Sequence, residues 1–83
     1  MTAPPSQAEL DRRRKRVDTL VARRYRLGVS AKRLAAITNL GTTYLNNIER
    51  MHGHYSDRVI DRYEQALRNY VAMVRLLADE WGY

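Results

Sequence analysis

Apolar side chains recur along this chain at steps of three and four residues, and no stretch alternates apolar and polar positions as a strand would. This spacing predicts amphipathic helices, separated where Gly, Asn and Ser occur. We therefore expect an all-α fold of about four helices. The positions expected to face inward share one face of their helix: Val17, Leu20, Val21, Leu34, Ala35, Thr38, Leu45, Ile48, Ile60, Tyr63 and Leu67.

Capping residues predict the limits of the first helix. Ser6 and Glu9 have the spacing of a capping box, in which the serine side chain accepts from an amide of the first turn. The helix is expected to run from there to about Leu27, with Gly28 as its C-terminal glycine. Two prolines precede it, so residues 1–5 are expected to form a disordered tail.

Two short helices are expected next, joined by a tight turn. Ser30 is the predicted cap of a helix over about residues 31–38. Asn39 tolerates the left-handed conformation that a helix stop requires, so it predicts the turn. The following helix should cover about residues 42–50, and such an arrangement is typical of a helix-turn-helix.

The last helix is expected to be the longest, because Ser56 is a suitable cap and no Gly or Pro follows before Gly82. Its first part should cover the core of the domain. The remainder, within residues 68–83, is expected to be a dimerisation extension that packs against a second copy. The heptad positions of the whole helix are Ile60, Tyr63, Leu67, Tyr70, Val74, Leu77 and Trp81, of which the last four form the expected dimer interface.

Charge is distributed unevenly over this single-domain chain of 83 residues. The formal net charge is +6, with ten basic and three acidic residues in positions 1–33 but five basic and six acidic residues in positions 34–83. The basic half indicates a polyanionic partner, and the nearly neutral half suits packing against protein. With no cysteine in the sequence, no disulfide or thiolate metal site can reinforce the core.

Five consecutive basic residues in the first helix are candidates for DNA phosphate contacts. A run of this length cannot face one way on a helix, so a solvated basic face is the alternative, and a frayed arm in the minor groove is another. Phosphate contacts give affinity and salt dependence but little sequence choice. The predicted phosphate-contacting residues are Arg12, Arg13, Arg14, Lys15, Arg16, Lys32, Arg33, Tyr44 and Arg50, although Tyr44 could equally pack beneath its helix.

The third helix carries a cluster of small polar side chains that could contact bases. Asparagine can form two hydrogen bonds with adenine, and threonine can offer a hydroxyl group or touch a thymine methyl group. Ordinary solvated surface residues are the alternative interpretation. The predicted base-contacting residues are Thr42, Thr43, Asn46 and Asn47.

Apolar, small and turn residues over about positions 17–67 agree in order with a known pattern. They are Leu20, Arg24, Gly28, Val29, Ser30, Leu34, Ala35, Leu40, Leu45, Ile48, Glu49 and Arg50. On these residues the chain resembles the Cro/CI-type (Xre-type) helix-turn-helix family of phage and bacterial repressors. It departs from the family pattern at Ala31, Asn39 and Gly41, and the likeness ends near residue 67.

The resemblance implies that residues 6–83 form one DNA-binding domain of a sequence-specific regulator, most simply a repressor. A homodimer would place its third helices in successive major grooves of an inverted repeat, in the cytoplasm of a bacterial or phage-infected cell. The resemblance also implies a structural ion pair between Arg24 and Glu49. Whether the chain is a phage regulator, an antitoxin-like autorepressor or an anti-CRISPR-associated repressor stays open.

Another class of function competes with this one. The heptad helix could bind a protein partner, with the basic helix contacting nucleic acid non-specifically. Catalysis, a cofactor or a small-molecule ligand is not expected, because no nucleophile motif or Gly-rich phosphate loop is present. His52 and His54 lack acidic or thiol neighbours, so no metal site is expected. Acids among the arginines of the last helix also disfavour a membrane surface.

Overall fold

Four helices make up the structure, a computed structural model that describes residues 4–51 and 55–81. No strand occurs within these two ranges, so the predicted all-α class with a long last helix is confirmed. The helices are α1 (Gln7–Leu27), α2 (Ala31–Thr38), α3 (Thr42–Glu49) and α4 (Asp57–Trp81).

The helix ends follow the predicted capping chemistry. The side-chain oxygen of Ser6 accepts a hydrogen bond from the amide of Glu9 at 3.2 Å, which satisfies one donor of the first turn of α1. Gly28 ends that helix in the left-handed conformation, with φ of 70°. Asn39 ends α2 in the same region, with φ of 58°, and its amide donates to the carbonyl of Ala35.

Two further contacts define the start of α2 and the end of α3. Ser30 caps α2 by accepting from the amide of Arg33 at 3.1 Å. Met51, which follows the end of α3, has φ of 54° and donates its amide to the carbonyl of Ile48 at 3.0 Å. No sequence signal predicted the left-handed conformation of Met51, because methionine has no intrinsic preference for positive φ.

The core lies where the four helices meet. Val29, in the turn between α1 and α2, is buried there as well, whereas Val21 and Thr38 are only partly buried. Tyr63 is the largest fully buried side chain. The buried apolar residues are Val17, Leu20, Val29, Leu34, Ala35, Leu45, Ile48, Ile60, Tyr63, Ala66 and Leu67.

Helices α1 and α4 lie side by side and run in the same direction. Arg12, near the start of α1, forms an ion pair with Asp57 at the start of α4. Leu27, at the end of α1, lines a surface depression together with Val71. Because α4 continues for ten residues beyond Val71, its C-terminal end projects from the body of the domain, and the molecule as a whole measures 52 × 21 × 21 Å.

None of the helices in the described ranges has the length and apolar character that crossing a bilayer requires.

Candidate nucleic-acid interface

Helix α3 has one face in the core and the other at the surface. Leu45 and Ile48 are fully buried, and their three-residue spacing fixes the rotation of the helix about its axis. The four predicted base-contacting side chains lie on the remaining face of the helix. None of them is buried: Thr42 and Thr43 are exposed, and Asn46 and Asn47 are half-buried.

Within residues 4–51 and 55–81, these four side chains have no bonding partner. Among the described residues, none of them takes part in a side-chain hydrogen bond or an ion pair. A polar group that is already satisfied must give up its partner before it can bind a ligand, and these groups need not. Their hydroxyl and amide groups are therefore available at the surface.

A bidentate ion pair holds α3 against α1. Arg24 Nε lies 2.7 Å from Glu49 Oε2, and Arg24 Nη2 lies 2.8 Å from Glu49 Oε1. The guanidinium also donates to the carbonyl oxygen of Val29 at 2.9 Å, which ties in the turn before α2. Only 6% of Arg24 is exposed, so the charge depends on these bonds. The pair that the resemblance implied is present.

Tyr63 of α4 completes this cluster, which the sequence interpretation missed. Its hydroxyl group donates to Glu49 Oε2 at 2.6 Å, so one carboxylate joins α1, α3 and α4. Burial, followed by the Glu49 hydrogen bond, raises the pKa of Tyr63 well above its usual value. The same carboxylate raises the pKa of Arg24 although burial opposes this. A tyrosine at a buried heptad position was the available signal, since a buried hydroxyl group needs a partner.

The basic run of α1 divides into two groups. Arg12 and Arg16 turn towards acidic side chains of α4, where Arg12 lies 3.1 Å from Asp57 and Arg16 pairs with Asp61 and lies 3.4 Å from Glu64. Arg13 joins them, with its Nε 3.6 Å from Asp57 Oδ1.

These three arginines therefore bridge two helices of one chain. Their interpretation as phosphate contacts stays a prediction. Their pairing with α4 was not predicted, because the sequence does not reveal that α1 and α4 run parallel and bring their charged ends together.

These contacts lower the pKa values of two α4 carboxylates. Hydrogen bonding from Arg12, together with the nearby Arg13 and Arg16, lowers the pKa of Asp57 below its usual value. Arg68, one turn along α4, and then Arg16 lower the pKa of Glu64. The charged forms of both acids are thus stabilised by contacts that exist only in the folded chain.

The other predicted phosphate-contacting cations are exposed. No ion pair involves any of them in the part of the chain that the structure describes. Two lie on α1, two on the first turn of α2 and one directly after α3: Arg14, Lys15, Lys32, Arg33 and Arg50. The cations of α2 are of most interest, because α2 packs directly on α3.

Tyr44 is half-buried and packs against the core cluster. Of the two roles considered for it, this contact favours packing beneath α3. Its hydroxyl group forms no hydrogen bond with the described residues.

The described residues contain no group of three or more His, Asp or Glu side chains that could hold a metal ion. His52 and His54 lie outside the described residues.

The C-terminal heptad positions are less covered with each step along α4. Tyr70 is half-buried, whereas Val74, Leu77 and Trp81 are 42%, 47% and 74% exposed. Three of the four predicted interface residues, Val74, Leu77 and Trp81, thus lie on the projecting part of the helix, whereas Tyr70 packs against the core cluster.

No protein-family model, curated protein or solved structure matches this chain.

Proposed function

We propose that this protein is a sequence-specific DNA-binding regulator that acts as a homodimer and inserts α3 into the major groove. The observation that carries the proposal is the polar face of α3, on which Thr42, Thr43, Asn46 and Asn47 are accessible and unpartnered among the described residues. A helix is about 10–12 Å across with its side chains, and the major groove of B-DNA is about 12 Å wide. The types of side chain suit contacts with base edges.

The Arg24–Glu49–Tyr63 cluster supports this function by making α3 rigid. Three helices share the Glu49 carboxylate, through bonds of 2.6–2.8 Å. Discrimination between bases depends on hydrogen bonds whose geometry is set before binding, because ordering mobile side chains costs affinity. A fixed α3 therefore favours selective binding over a loose electrostatic association.

The exposed cations supply the sequence-independent part of the affinity. Lys32 and Arg33 begin α2, and Arg50 follows α3, so these charges lie close to the helix that would enter the groove. Arg14 and Lys15 extend the basic surface along α1. The proposal assigns no phosphate contact to the arginines that pair with α4.

A homodimer would double these contacts. Two α3 helices spaced about one turn of DNA apart, roughly 34 Å, would recognise an inverted repeat. Repression by occlusion of polymerase is the simplest consequence of such binding. The proposal implies a location where DNA is accessible, such as the cytoplasm of a bacterial or phage-infected cell.

One observation favours a second candidate function. The exposed apolar positions of α4 would suit a protein-interaction module that binds nucleic acid only through charge. Such a module would lose all its DNA affinity at high salt without preferring any sequence.

Selection of binding sites from random double-stranded DNA separates the two functions. The regulator should enrich one short motif with inverted symmetry, in competition with excess unrelated DNA. A pool that stays random after repeated rounds, despite salt-sensitive binding, would favour the interaction module and reject the regulator.

A further inference from the structure

A continuous apolar surface extends from the end of α1 to the tip of α4. One depression is lined by Leu27, Tyr70, Val71, Val74 and Arg75. A neighbouring depression at the tip is formed by Leu77, Ala78 and Trp81 together with the same Val74. Clustered exposed apolar side chains of this kind mark an interaction surface, whereas single ones need no explanation.

We propose that a second copy of the chain covers this surface with its α4 antiparallel, so that Trp81 of each copy enters the depression beside Leu27 and Tyr70 of the other. The inference rests on the homodimer of the proposed function and adds the orientation, the register and the anchoring residue. It commits the surface to a copy of this chain, and not to an unrelated protein.

The apolar spacing of α4 fits an antiparallel copy. Tyr70, Val74, Leu77 and Trp81 are separated by steps of four, three and four residues, a series that is the same in both directions. An antiparallel partner therefore brings Tyr70 opposite Trp81 and Val74 opposite Leu77. Each of the four apolar side chains then faces an apolar side chain of the other copy. This register also delivers each Trp81 to the depression that Tyr70 lines.

Charge favours the same orientation. The last turn of α4 holds Asp79 and Glu80 and no basic residue, at the helix end that already carries partial negative charge. A parallel pair would bring four carboxylates and two negative helix ends together. An antiparallel pair brings each acidic tip towards a surface on which arginines outnumber acids, because three arginines and one acid line the cleft between α1 and α4: Arg23, Arg68, Arg75 and Glu64.

Trp81 is suited to be the anchor of this contact. It is 74% exposed, and it would lie near the Arg75 guanidinium, which can contact an indole face. Tryptophan is one of the residue types enriched among the side chains that dominate the binding energy of an interface. The contact also explains why Leu27, at the end of α1, is left 39% exposed.

The single tryptophan of the sequence makes the contact directly measurable. Trp81 emission should shift to shorter wavelength as the natural chain is concentrated, in step with dimer formation in sedimentation. Leu27→Ala should weaken the dimer by about tenfold or more, which corresponds to at least about 1.4 kcal/mol. Leu76→Ala is the matched control, because Leu76 is 69% exposed on α4 but lines neither depression, and it should change the dimer little.

Mixed dimers test the orientation. One copy carries Trp81→Phe and a nitroxide on Arg26→Cys, an exposed position next to Leu27 that lines neither depression, and the other copy is the natural chain. The label attaches at this site alone because the natural chain has no cysteine. The antiparallel dimer predicts strong quenching of the natural Trp81 by the label across the interface. A label on Leu76→Cys should quench it far less.

The outcomes separate this inference from the proposed function. A dimer in which the position-26 label does not quench Trp81 would reject the antiparallel contact and leave the homodimer intact. A chain that stays monomeric with solvent-exposed Trp81 would reject the inference and the dimer together. Sequence-selective DNA binding by that monomer would still preserve the role of α3.

Discussion

The two halves of α4 share one heptad pattern but have different surroundings. In the first half, Ile60, Tyr63 and Leu67 are at most 4% exposed and are covered by the other three helices. In the second half, Val74 and Leu77 repeat the same spacing, yet more than two fifths of each remains exposed. The difference shows that an apolar period predicts a helix face to be covered but does not reveal what covers it.

Arg24→Ala should have the largest effect on stability, because Arg24 belongs to the Arg24–Glu49–Tyr63 cluster that joins the covered half of α4 to α1 and α3. Removal of the guanidinium leaves the Glu49 carboxylate without its ion-pair partner in a largely buried site. We therefore expect the free energy of unfolding to fall by about 3–5 kcal/mol. Urea unfolding followed by helical circular dichroism measures this. Arg23→Ala removes an exposed neighbour and should cost less than about 0.5 kcal/mol. Equal effects of the two substitutions would contradict the structural role of the cluster.

The same substitution in each half of α4 sharpens the comparison. Leu67→Ala should destabilise the folded monomer by about 2–3 kcal/mol, because it creates a cavity in the core. Leu77→Ala should change the monomer by less than about 0.5 kcal/mol when unfolding is measured at concentrations too low for dimers. At high concentration Leu77→Ala should instead weaken self-association. Strong destabilisation of the dilute Leu77→Ala chain would mean that the tip belongs to the core.

The elements were predictable because their signals are local. Gly28 and Asn39 adopt the left-handed conformation at the expected positions, and Ser30 caps its helix through its own hydroxyl group. The parallel arrangement of α1 and α4 was not predictable in this way. It depends on how the chain returns through α2 and α3, and it places Arg12 and Arg16, which the sequence offered as phosphate contacts, in ion pairs with α4.

Acid should lower the free energy of unfolding by weakening the ion pairs at the first turns of α4. Folding lowers the pKa values of Asp57 and Glu64. Their ionised forms therefore add to the free energy of unfolding at pH values above their unfolded pKa values of about 4. This stabilisation is lost as the pH falls through the lower folded pKa values. We expect less than about 1 kcal/mol from each, because the pairs are partly exposed. The measurement is the free energy of unfolding between pH 7 and pH 3.

Two variants make the source of this acid sensitivity visible. Asp57→Asn should reduce the loss of stability on acidification. Asp79→Asn should leave it unchanged, since Asp79 has no ion-pair partner among the described residues. An identical pH dependence for the natural chain and Asp57→Asn would show that the contact with α1 contributes nothing.

The smallest expected effect separates exposed from paired cations. Lys32→Ala should weaken binding to all DNA sequences similarly and reduce the slope of log affinity against log salt by about 1. Arg16→Ala should leave that slope unchanged, because Arg16 is occupied by Asp61 and Glu64. Filter binding or fluorescence anisotropy over a salt series measures both. If Arg16→Ala reduced the slope and Lys32→Ala did not, the phosphate contact would belong to Arg16 and not to Lys32.

Base selection by α3 is the central claim, and the motif selected by Asn47→Ala from random DNA tests it most directly. The natural chain and the control Asn69→Ala, an exposed asparagine on α4, should enrich the same motif. Asn47→Ala, with unchanged helical content, should lose preference at one position or more of each half-site, at a cost of about 1–3 kcal/mol on the best sequence. Enrichment of an identical motif with identical preference by Asn47→Ala would contradict this role of Asn47.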